Sequence, residues 1–387
     1  MRDVAIVGVG LTKFGERWEA GLKELMSEAW LSAMEDANIS RDDVDMLFAG
    51  TMASGRFTGQ EHVAALIADQ LGFSNVPAVR VENACASGGT ALRQGYITVA
   101  SGIHDIVVVG GVEKMTDVTS AEASTALGGA GDQEWELFQG ITFPGLYAMM
   151  AKRHMHDFGT TEEQMAAVSV KNHENATKNP YAQFRKKMTI SDIMESKMVA
   201  DPLKLLDCSP LSDGAAALVL APLEIARKLN DTPIKILAST HATDTLRLAE
   251  RETLTGVKAA RIAGEAAFRH AKLTPKDINV AEVHDCFTIA EIMAMEDLGF
   301  YKKGEAAKAI AAGETALNSK LSVITSGGLK GCGHPVGATG VKQAVEITWQ
   351  LRGEAKDRQV TKADIGLTHN VGGSGSTAVV HIFGRTN

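Results

Sequence analysis

Four side chains that could carry out nucleophilic chemistry stand in distinctive settings, and Cys85 is the first of them. It lies in VENACASGGTAL, at the turn from a strand-like stretch into a helix-like one, with only small residues beside it. A thiol at the start of a helix experiences the positive end of the helix dipole and unpaired backbone N–H groups, which favour the thiolate. The sequence therefore predicts that Cys85 is a nucleophile with a lowered pKa. A buried structural cysteine is the alternative.

His334 is the candidate base. It lies in SGGLKGCGHPVGATG (326–340), where six of fifteen residues are glycine, and a helix-like segment follows. Glycines are costly to order, so this loop is expected to bring backbone close to a ligand. A neutral imidazole there could accept the Cys85 proton. A histidine with a purely structural role is the alternative.

Two further segments place polar groups at the ends of strand-like stretches. EVHDCFTIAE offers His284 and Cys286, and THNVGGSGST (368–377) forms a glycine turn. The donors of His284-x-Cys286 and Cys332-x-His334 suit zinc. However, one residue between paired ligands is tighter than the usual two to four, so we predict no metal site. Cys332 is then interpreted as a small loop residue.

Composition limits the class of protein that positions these groups. The 387 residues are 45% hydrophobic and 22% charged, with a net charge of -8, which predicts a globular protein of two to three domains. The acidic balance gives no whole-protein basic surface for nucleic acid. Four dispersed cysteines, no signal-peptide pattern and no apolar run near the ~18 residues of a membrane span predict a soluble cytoplasmic protein.

Strand-like and helix-like segments alternate from AIVGVG to DIVVVGGVE, which predicts an α/β protein with a mostly parallel sheet covered by helices. Residues 117–205 are more polar and interrupt the alternation, and a strand pattern returns at SDGAAALVLAP (212–222). A separate third domain is one interpretation. We favour an insertion, because residues 213–220 resemble the missing last strand of the first unit.

An internal repeat supports the insertion. ISRDDVDMLFAG (39–50) resembles LTPKDINVAEVH (273–284), and HDIVVVGG (104–111) resembles ADIGLTHNVGG (363–373). We therefore predict two copies of one α/β unit. The first half comprises residues 1–116 and 206–233, the inserted loop domain 117–205, and the second half 234–387.

These segments together resemble the thiolase superfamily over nearly the whole chain. The motifs that carry the resemblance are NACASG, SDGAAALVLA, HDCF, GGLKGCGHPVGATG and NVGGSG. The resemblance implies two duplicated β-α-β-α-β-α-β-β halves in a five-layer αβαβα arrangement with an inserted loop domain. HDCF is the form found in sterol-carrier-type thiolases and archaeal acetoacetyl-CoA thiolases (acetyl-CoA C-acetyltransferases).

Two departures from the common biosynthetic thiolases compensate for each other. Those enzymes have Asn-Glu-Ala-Phe where this chain has His284 to Phe287, and a second catalytic cysteine where this chain has Asn370. In HDCF members the cysteine of that motif is taken to replace the lost one, which here is Cys286.

The resemblance implies Claisen condensation of two acetyl-CoA to acetoacetyl-CoA plus CoA, as the first step of the mevalonate/isoprenoid pathway. Cys85 is acetylated, His334 accepts its proton and Cys286 deprotonates the second acetyl-CoA. His284 and His334 form one oxyanion hole, and the N–H groups of Cys85 and Gly372 form the other. Coenzyme A thioesters are the substrates, and no cofactor or metal is expected.

The inserted segment offers a basic run for the CoA phosphates, namely Arg185, Lys186 and Lys187. A solvated basic turn is the alternative. The resemblance also implies a homodimer or homotetramer, with HMG-CoA synthase and a small OB-fold zinc-ribbon protein as further partners. Neither nucleic acid nor a membrane is expected as a partner.

Other functions are kept as alternatives. A degradative sterol-carrier-type 3-ketoacyl-CoA thiolase for longer or branched chains shares HDCF, and a non-catalytic thiolase-like scaffold is the non-enzyme reading. A ketoacyl-carrier-protein synthase would leave Cys286 without a task. A dinucleotide-binding dehydrogenase is weakly suggested by Gly8-Val9-Gly10, but Lys13 stands at the third glycine position.

Overall fold

The computed structural model describes residues 1–73 and 75–386. Its strands are β1 Val4–Leu11, β2 Met46–Gly50, β3 Ala78–Val81, β4 Val107–Glu113, β5 Met198–Ala200, β6 Leu203–Lys204, β7 Gly214–Pro222, β8 Ile234–Thr243, β9 Val280–Glu282, β10 Ser322–Val323, β11 Ile365–Gly372 and β12 Thr377–Arg385. Its helices are α1 Leu22–Asp36, α2 Ser54–Thr58, α3 Val63–Leu71, α4 Ser87–Ser101, α5 Ser120–Gly128, α6 Phe143–Phe158, α7 Glu162–Ala176, α8 Ile190–Met194, α9 Leu223–Leu229, α10 Lys258–Ala271, α11 Thr288–Asp297, α12 Ala306–Ala311 and α13 Thr339–Arg352.

Ten of the strands in the described part of the chain form one mixed sheet. Its order is β10-β9-β11-β12-β8-β1-β7-β4-β2-β3, and β5 pairs with β6 separately. From the centre outwards, β1-β7-β4-β2-β3 and β8-β12-β11-β9-β10 repeat one pattern of pairing. In both, the second strand is antiparallel to its two neighbours, and the last three strands are parallel to one another. The duplication predicted from the sequence repeat is therefore confirmed by the topology.

The two halves also share hydrogen bonds at the positions that the sequence repeat aligns. Asp45 accepts the N–H groups of residues 105 and 106 through one carboxylate oxygen. In the second half Asn279 accepts those of residues 364 and 365 through its amide oxygen. A polar side chain at the equivalent position thus connects the start of β4 to β2 in the first half and the start of β11 to β9 in the second.

Five layers result from burying both faces of each half. Helices α1 and α3 cover the outer face of the first half, where Leu25 and Trp30 pack against Val7 and Val108. Helix α10 covers the outer face of the second half. Helices α4 and α13 lie between the halves and contact strands of both.

The segment between β4 and β7 contains α5 to α8, together with β5 and β6, which the sequence analysis does not predict. Strand β7 lies between β1 and β4, in the place expected for the last strand of the first unit. The exact domain boundaries stay a prediction. Among the described residues, every helix is too short or too polar to cross a membrane.

Candidate active site

The turns that follow three parallel strands bring the candidate groups together. Cys85 follows β3, His284 follows β9 and His334 follows β10. The Cys85 sulfur and one ring nitrogen of each histidine lie within 4.8 Å of one another. The two imidazole rings meet edge to face, with centroids 5.1 Å apart. Residues separated by about 200 to 250 positions in sequence thus form one cluster, with one member from the first half and two from the second.

A tight turn presents Cys85 to this cluster. Ala84 has a φ of +50°, a left-handed conformation that a residue with a side chain rarely adopts. The N–H of Ala86 bonds the carbonyl of Asn83 at 3.0 Å, and helix α4 then begins at Ser87. Strained backbone of this kind occurs at functional sites, where the surrounding structure maintains it. The turn holds the sulfur at the start of the helix.

Small residues let the starts of α4 and α13 meet at the site. A Cβ on Gly340 would lie 2.2 Å from both the side-chain oxygen of Asn370 and the backbone nitrogen of Gly89. Only a hydrogen atom fits there. Gly340 is therefore required for backbone contact between the two helix starts. The approach of this loop to a ligand, which the sequence predicts, stays a prediction.

Asn370 fixes the tautomer of His284. Its Oδ1 accepts the Gly89 N–H at 3.1 Å, and its Nδ2 donates to the Cys85 carbonyl at 3.0 Å. The amide orientation is thus determined from both sides. The same Nδ2 lies 3.2 Å from His284 Nδ1, which must therefore accept. The neutral imidazole then carries its proton on Nε2.

The Nε2 atom of His284 is buried and has no hydrogen-bond partner among the described residues. Leaving a buried N–H unpaired costs about 1–3 kcal/mol. A substrate oxygen reaching the cluster would relieve that cost. His284 therefore presents a hydrogen-bond donor in advance, which an oxyanion hole requires.

His334 has the opposite arrangement. Its Nδ1 lies 2.7 Å from Thr339 Oγ1, and that hydroxyl donates its proton to the Pro335 carbonyl at 3.0 Å. Nδ1 therefore carries the ring proton and donates to Thr339, leaving a lone pair on Nε2. The backbone N–H of His334 also bonds Ser212 Oγ at 3.0 Å. One histidine is thus prepared as an acceptor and the other as a donor.

The pKa of Cys85 corrects one sequence-based prediction. Burial raises the pKa of the thiol to about 12, and the bonds from the N–H groups of Gly373 and Cys85 offset that only in part. The expected lowering by the start of the helix was therefore wrong, because desolvation outweighs it. Burial also lowers the pKa of His334 to about 3. At neutral pH the resting pair is a thiol beside a neutral imidazole.

Backbone donors beside Cys85 come from the glycine turn after β11. The Gly373 N–H acts on the Cys85 sulfur and favours its thiolate. The sequence analysis named Gly372, one residue earlier, as the second backbone donor of the oxyanion hole. The position of the Gly373 N–H makes it a candidate for that role alongside Gly372.

Cys286 faces a cavity of about 370 Å³ that Cys85 and His334 also line. The cavity is largely apolar and is lined by Cys85, His334, Gly373, Cys208, Phe143, Phe287, Tyr147 and others. Cys286 is buried, and this raises the pKa of its thiol well above the ordinary value. Both cysteines to which the resemblance assigns a role therefore line one cavity.

A buried polar network holds the HDCF segment. Asn172 donates from its Nδ2 to Asp285 and to Glu291, both at 2.8 Å. Glu291 pairs with Lys171 at 2.7 Å, and Asp285 accepts the Leu329 N–H at 2.8 Å. Helix α7 and the glycine loop thereby fix the residue before Cys286.

The basic run lies outside this cavity. Arg185, Lys186 and Lys187 are exposed; Arg185 bonds the Thr177 carbonyl and Lys187 pairs with Glu174 at 2.8 Å. The preceding residues, 183 and 184, donate their N–H groups to the glycine loop at residues 332 and 331. The basic run therefore begins beside that loop, and its role in binding CoA stays a prediction.

The donor set suits a metal poorly. Cys332 is fully buried and accepts a bond from Asn179 at 3.5 Å, away from the cluster of Cys85, His284 and His334. Within that cluster, His284 would have to offer a lone pair on Nε2. Asn370 already requires the lone pair to be on Nδ1.

The sequence analysis missed four groups that the structure places at the site. Thr339 bonds the His334 ring, Ser212 accepts from the His334 backbone N–H, and Tyr147 donates to the Gly373 carbonyl. Asn370 acts as an orienting amide rather than only a replaced cysteine. Thr339 follows His334 by five residues, so the segment HPVGAT carried a usable local signal. Tyr147 lies in the inserted segment and carried none.

Known proteins share this architecture along the whole chain. Residues 4–224 match the family model described as "Thiolase, N-terminal domain", and residues 240–385 match "Thiolase C-terminal domain-like". The acetyl-CoA acetyltransferase of Methanothermobacter thermautotrophicus is 55% identical over 385 residues, covering 100% of both chains. That of Methanocaldococcus jannaschii is 51% identical, covering 99% of both. Human sterol carrier protein 2 is 34% identical, covering 98% of this chain and 71% of its own.

Solved structures of other proteins share this fold. The Ltp2-ChsH2(DUF35) aldolase superimposes with a TM-score of 0.86 at 27% identity, covering 99% of this chain and 97% of that one. Human mitochondrial 3-ketoacyl-CoA thiolase in complex with CoA gives a TM-score of 0.76 at 15% identity, covering 100% and 98%, a likeness of fold alone. With both family models matched and a full-length relative at 55% identity, the chain belongs to the thiolase family.

Proposed function

We propose that this protein is an acetyl-CoA C-acetyltransferase that condenses two acetyl-CoA into acetoacetyl-CoA and CoA through an acetyl-Cys85 intermediate. One observation carries the proposal. A thiol, an imidazole with a free acceptor nitrogen and an imidazole with an unpaired N–H meet within 4.8 Å. Acyl transfer through a thioester needs a nucleophile, a base and an oxyanion donor, and this cluster supplies all three.

Acylation begins from the neutral resting state. His334 Nε2 takes the Cys85 proton as the sulfur attacks the thioester carbon of acetyl-CoA. The resulting tetrahedral oxyanion collapses and expels the CoA thiolate. That thiolate takes the Cys286 proton and leaves as CoA. The products on the protein are acetyl-Cys85, a protonated His334 and a Cys286 thiolate.

Condensation uses the two charged groups left by acylation. The Cys286 thiolate removes a methyl proton from the second acetyl-CoA. The carbanion attacks the acetyl carbon on Cys85, and the tetrahedral intermediate expels the Cys85 thiolate, which recovers its proton from His334. Acetoacetyl-CoA leaves and every group returns to its starting protonation state. This proton balance makes Cys286 an acid in the first half-reaction and a base in the second.

Oxyanions that form during these steps meet donors already in place. The Nε2–H of His284, joined by that of protonated His334, stabilises the enolate oxygen of the second acetyl-CoA. Backbone N–H groups of Cys85 and of the turn at Gly372 and Gly373 stabilise the tetrahedral intermediate on Cys85. Arg185, Lys186 and Lys187 are the proposed contacts of the CoA phosphates.

The test is the thiolysis of acetoacetyl-CoA by the purified protein, with and without free CoA. The reaction is followed by the enolate absorbance of acetoacetyl-CoA. Without free CoA we expect loss of at most one equivalent of acetoacetyl-CoA per active site, with free CoA we expect continued loss, and in Cys85→Ala we expect none. Mass spectrometry of protein mixed with acetyl-CoA should add one acetyl group at Cys85. Loss without CoA beyond one equivalent per active site, or turnover that persists in Cys85→Ala, would exclude the acetyl-enzyme route.

A degradative role remains the second candidate, because the sterol carrier protein 2 sequences are 32–36% identical over 97–98% of this chain. A series of 3-ketoacyl-CoA substrates of increasing length separates the two. The cavity of about 370 Å³ leads us to expect the highest kcat/KM for the four-carbon thioester. A maximum at long or branched chains would favour the degradative role.

The setting of the reaction is also a proposal. We assign the protein to the cytoplasm and to the first step of the mevalonate/isoprenoid pathway, as a homodimer or homotetramer. Thiolysis is the favoured direction, so direct transfer of acetoacetyl-CoA to HMG-CoA synthase, bridged by a small OB-fold zinc-ribbon protein, would draw condensation forward. Size-exclusion chromatography of the protein alone and with these partners tests the assembly.

A further inference from the structure

Cys286 needs a source of stabilisation that its burial does not provide. The proposed function requires a Cys286 thiolate to persist until the second acetyl-CoA is bound. Burial opposes that thiolate and raises the pKa of Cys286. The groups that act on its charge are Tyr147, Cys85, Asp285 and Lys330. Of these, Cys85 and Asp285 disfavour the thiolate.

Tyr147 is the side chain that acts on the Cys286 sulfur as a hydrogen-bonding neighbour and favours its thiolate, and both residues line one cavity. It lies on α6, is 2% exposed and lines the same cavity. Its ring stacks on Phe287 with centroids 4.6 Å apart, so the hydroxyl has little freedom to move. The hydroxyl also donates to the Gly373 carbonyl at 3.2 Å.

The Tyr147 hydroxyl therefore lies between a group used in acylation and a group used in condensation. One of its neighbours is the sulfur that must ionise, and the other is the carbonyl of Gly373, the residue whose backbone N–H acts on the Cys85 sulfur. Arg251 is the cation that acts on Tyr147, and it bonds the neighbouring Ser374 carbonyl. Burial raises the pKa of Tyr147 well above 10, so its proton stays on oxygen and is available for donation.

We propose that Tyr147 is a positioning residue whose hydroxyl donates to the Gly373 carbonyl in the resting enzyme and to the Cys286 sulfur when that sulfur is a thiolate. This inference rests on the proposed function for its role in catalysis. The hydrogen bond itself does not depend on turnover. A hydrogen bond to a charged group changes an equilibrium by about tenfold to a hundredfold.

The closing experiment measures the thiolate directly. In a Cys85→Ala background, the rate at which iodoacetamide alkylates Cys286 is followed against pH by mass spectrometry of its peptide. We expect Tyr147→Phe to slow alkylation by about tenfold to a hundredfold below the thiol pKa, and to move the inflection to higher pH. Cys208, which lines the same cavity, is read in the same digest as the control for access.

Other outcomes have distinct meanings. An unchanged Cys286 rate, or equal changes at Cys286 and Cys208, would overturn the proposal, because the hydroxyl would then serve packing alone. If Tyr147→Phe fails to fold, 3,5-difluorotyrosine at position 147 supplies a stronger donor, and the inflection should move to lower pH; a shift in the opposite direction would refute it.

Failure of the proposed function is separate from failure of this inference. The wild-type protein would then show neither acetyl-Cys85 nor thiolysis, while the alkylation rates would still report on the hydrogen bond. If both hold, Tyr147→Phe should shift the pH profile of thiolysis in the same direction, whereas Tyr301→Phe, at a tyrosine remote from the cavity, should not.

Discussion

Asn370→Asp changes one atom of the site and tests whether tautomer control supports catalysis. The Oδ1 bond from the Gly89 N–H at 3.1 Å is kept. The replaced Nδ2 donates to the Cys85 carbonyl at 3.0 Å and lies 3.2 Å from His284 Nδ1. An oxygen there opposes the carbonyl and attracts the imidazole proton to Nδ1. Nε2 then faces the substrate oxyanion with a lone pair.

The expected cost follows from losing one oxyanion donor. Removing such a donor lowers kcat by about 10²–10³. The carbonyl-to-carboxylate contact also lowers the free energy of unfolding, because the Cys85 carbonyl loses its partner in a buried site. Steady-state thiolysis of acetoacetyl-CoA measures the first effect, and urea unfolding measures the second.

A matched control separates the two effects. Asn175 is another buried asparagine whose Nδ2 donates to a carbonyl, that of Ile324 at 2.9 Å. Asn175→Asp should lose stability in the same way and keep kcat near that of the wild type. A double-mutant cycle completes the test: in a His284→Ala background, Asn370→Asp should cost much less, because Asn370 acts through that imidazole.

Two results would refute the reasoning. If Asn370→Asp keeps kcat within about threefold of the wild type, the tautomer of His284 does not matter. If its full cost persists in the His284→Ala background, Asn370 acts through the Cys85 backbone instead. Either result would contradict the assignment of His284 as a donor.

Four further predictions address the remaining groups. Cys85→Ser should give no acetyl-enzyme by mass spectrometry, because a hydroxyl is a far weaker acid than the thiol that His334 deprotonates; a stable acetyl-serine would contradict this. Cys286→Ala should still become acetylated at Cys85 but release no acetoacetyl-CoA, and normal condensation would show that the base lies elsewhere. Charge reversal across Arg185–Lys187 should raise KM for CoA more than KM for an analogue without the 3′-phosphate, whereas equal effects would identify a solvated turn. Stability should fall as pH drops from about 6.5 to about 3, because the buried histidines at 334 and 369 have folded pKa values of about 3 and take up protons only when unfolded. Glu113 has a folded pKa of about 7, so its contribution to stability rises as pH drops from 7 to 4.5. Urea midpoints from pH 3 to 8 should therefore be compared with those of His369→Gln, which should lose less stability at low pH than the wild type.

Local sequence signals predicted the framework because each depends on neighbouring residues. Alternating apolar stretches predicted β1 to β4 with their helices, and the repeat at 39–50 and 273–284 predicted the duplicated strand order. Motif resemblance predicted that Cys85, His284 and His334 form one site. The structure brings these three together at the ends of different strands.

Properties set by distant residues could not be predicted in this way. The pKa of Cys85 depends on burial that segments far along the chain create together, and the local helix argument therefore gave the wrong sign. The tautomers of His284 and His334 depend on Asn370 and Thr339, whose bonding is visible only in three dimensions. Tyr147 comes from the inserted segment, where the sequence carried no periodic or motif signal.

The duplication also relates two similar crossings of a strand and a helix start that differ in polarity. In each half, one strand passes close to the start of a helix from the other half. The strand is β4 in the first half and β11 in the second, and the helices are α13 and α4. In the first half, Gly111 of β4 lies against Gly337, and a Cβ there would be 2.1 Å from its carbonyl. At the position that the repeat aligns in β11, Asn370 instead inserts an amide between Gly89 and His284. The glycine crossing allows close packing, whereas the asparagine crossing provides the polar atoms that set the tautomer of the His284 imidazole. The repeat also aligns His284 with Gly50, so the two halves differ at more than one of the positions that form the candidate site.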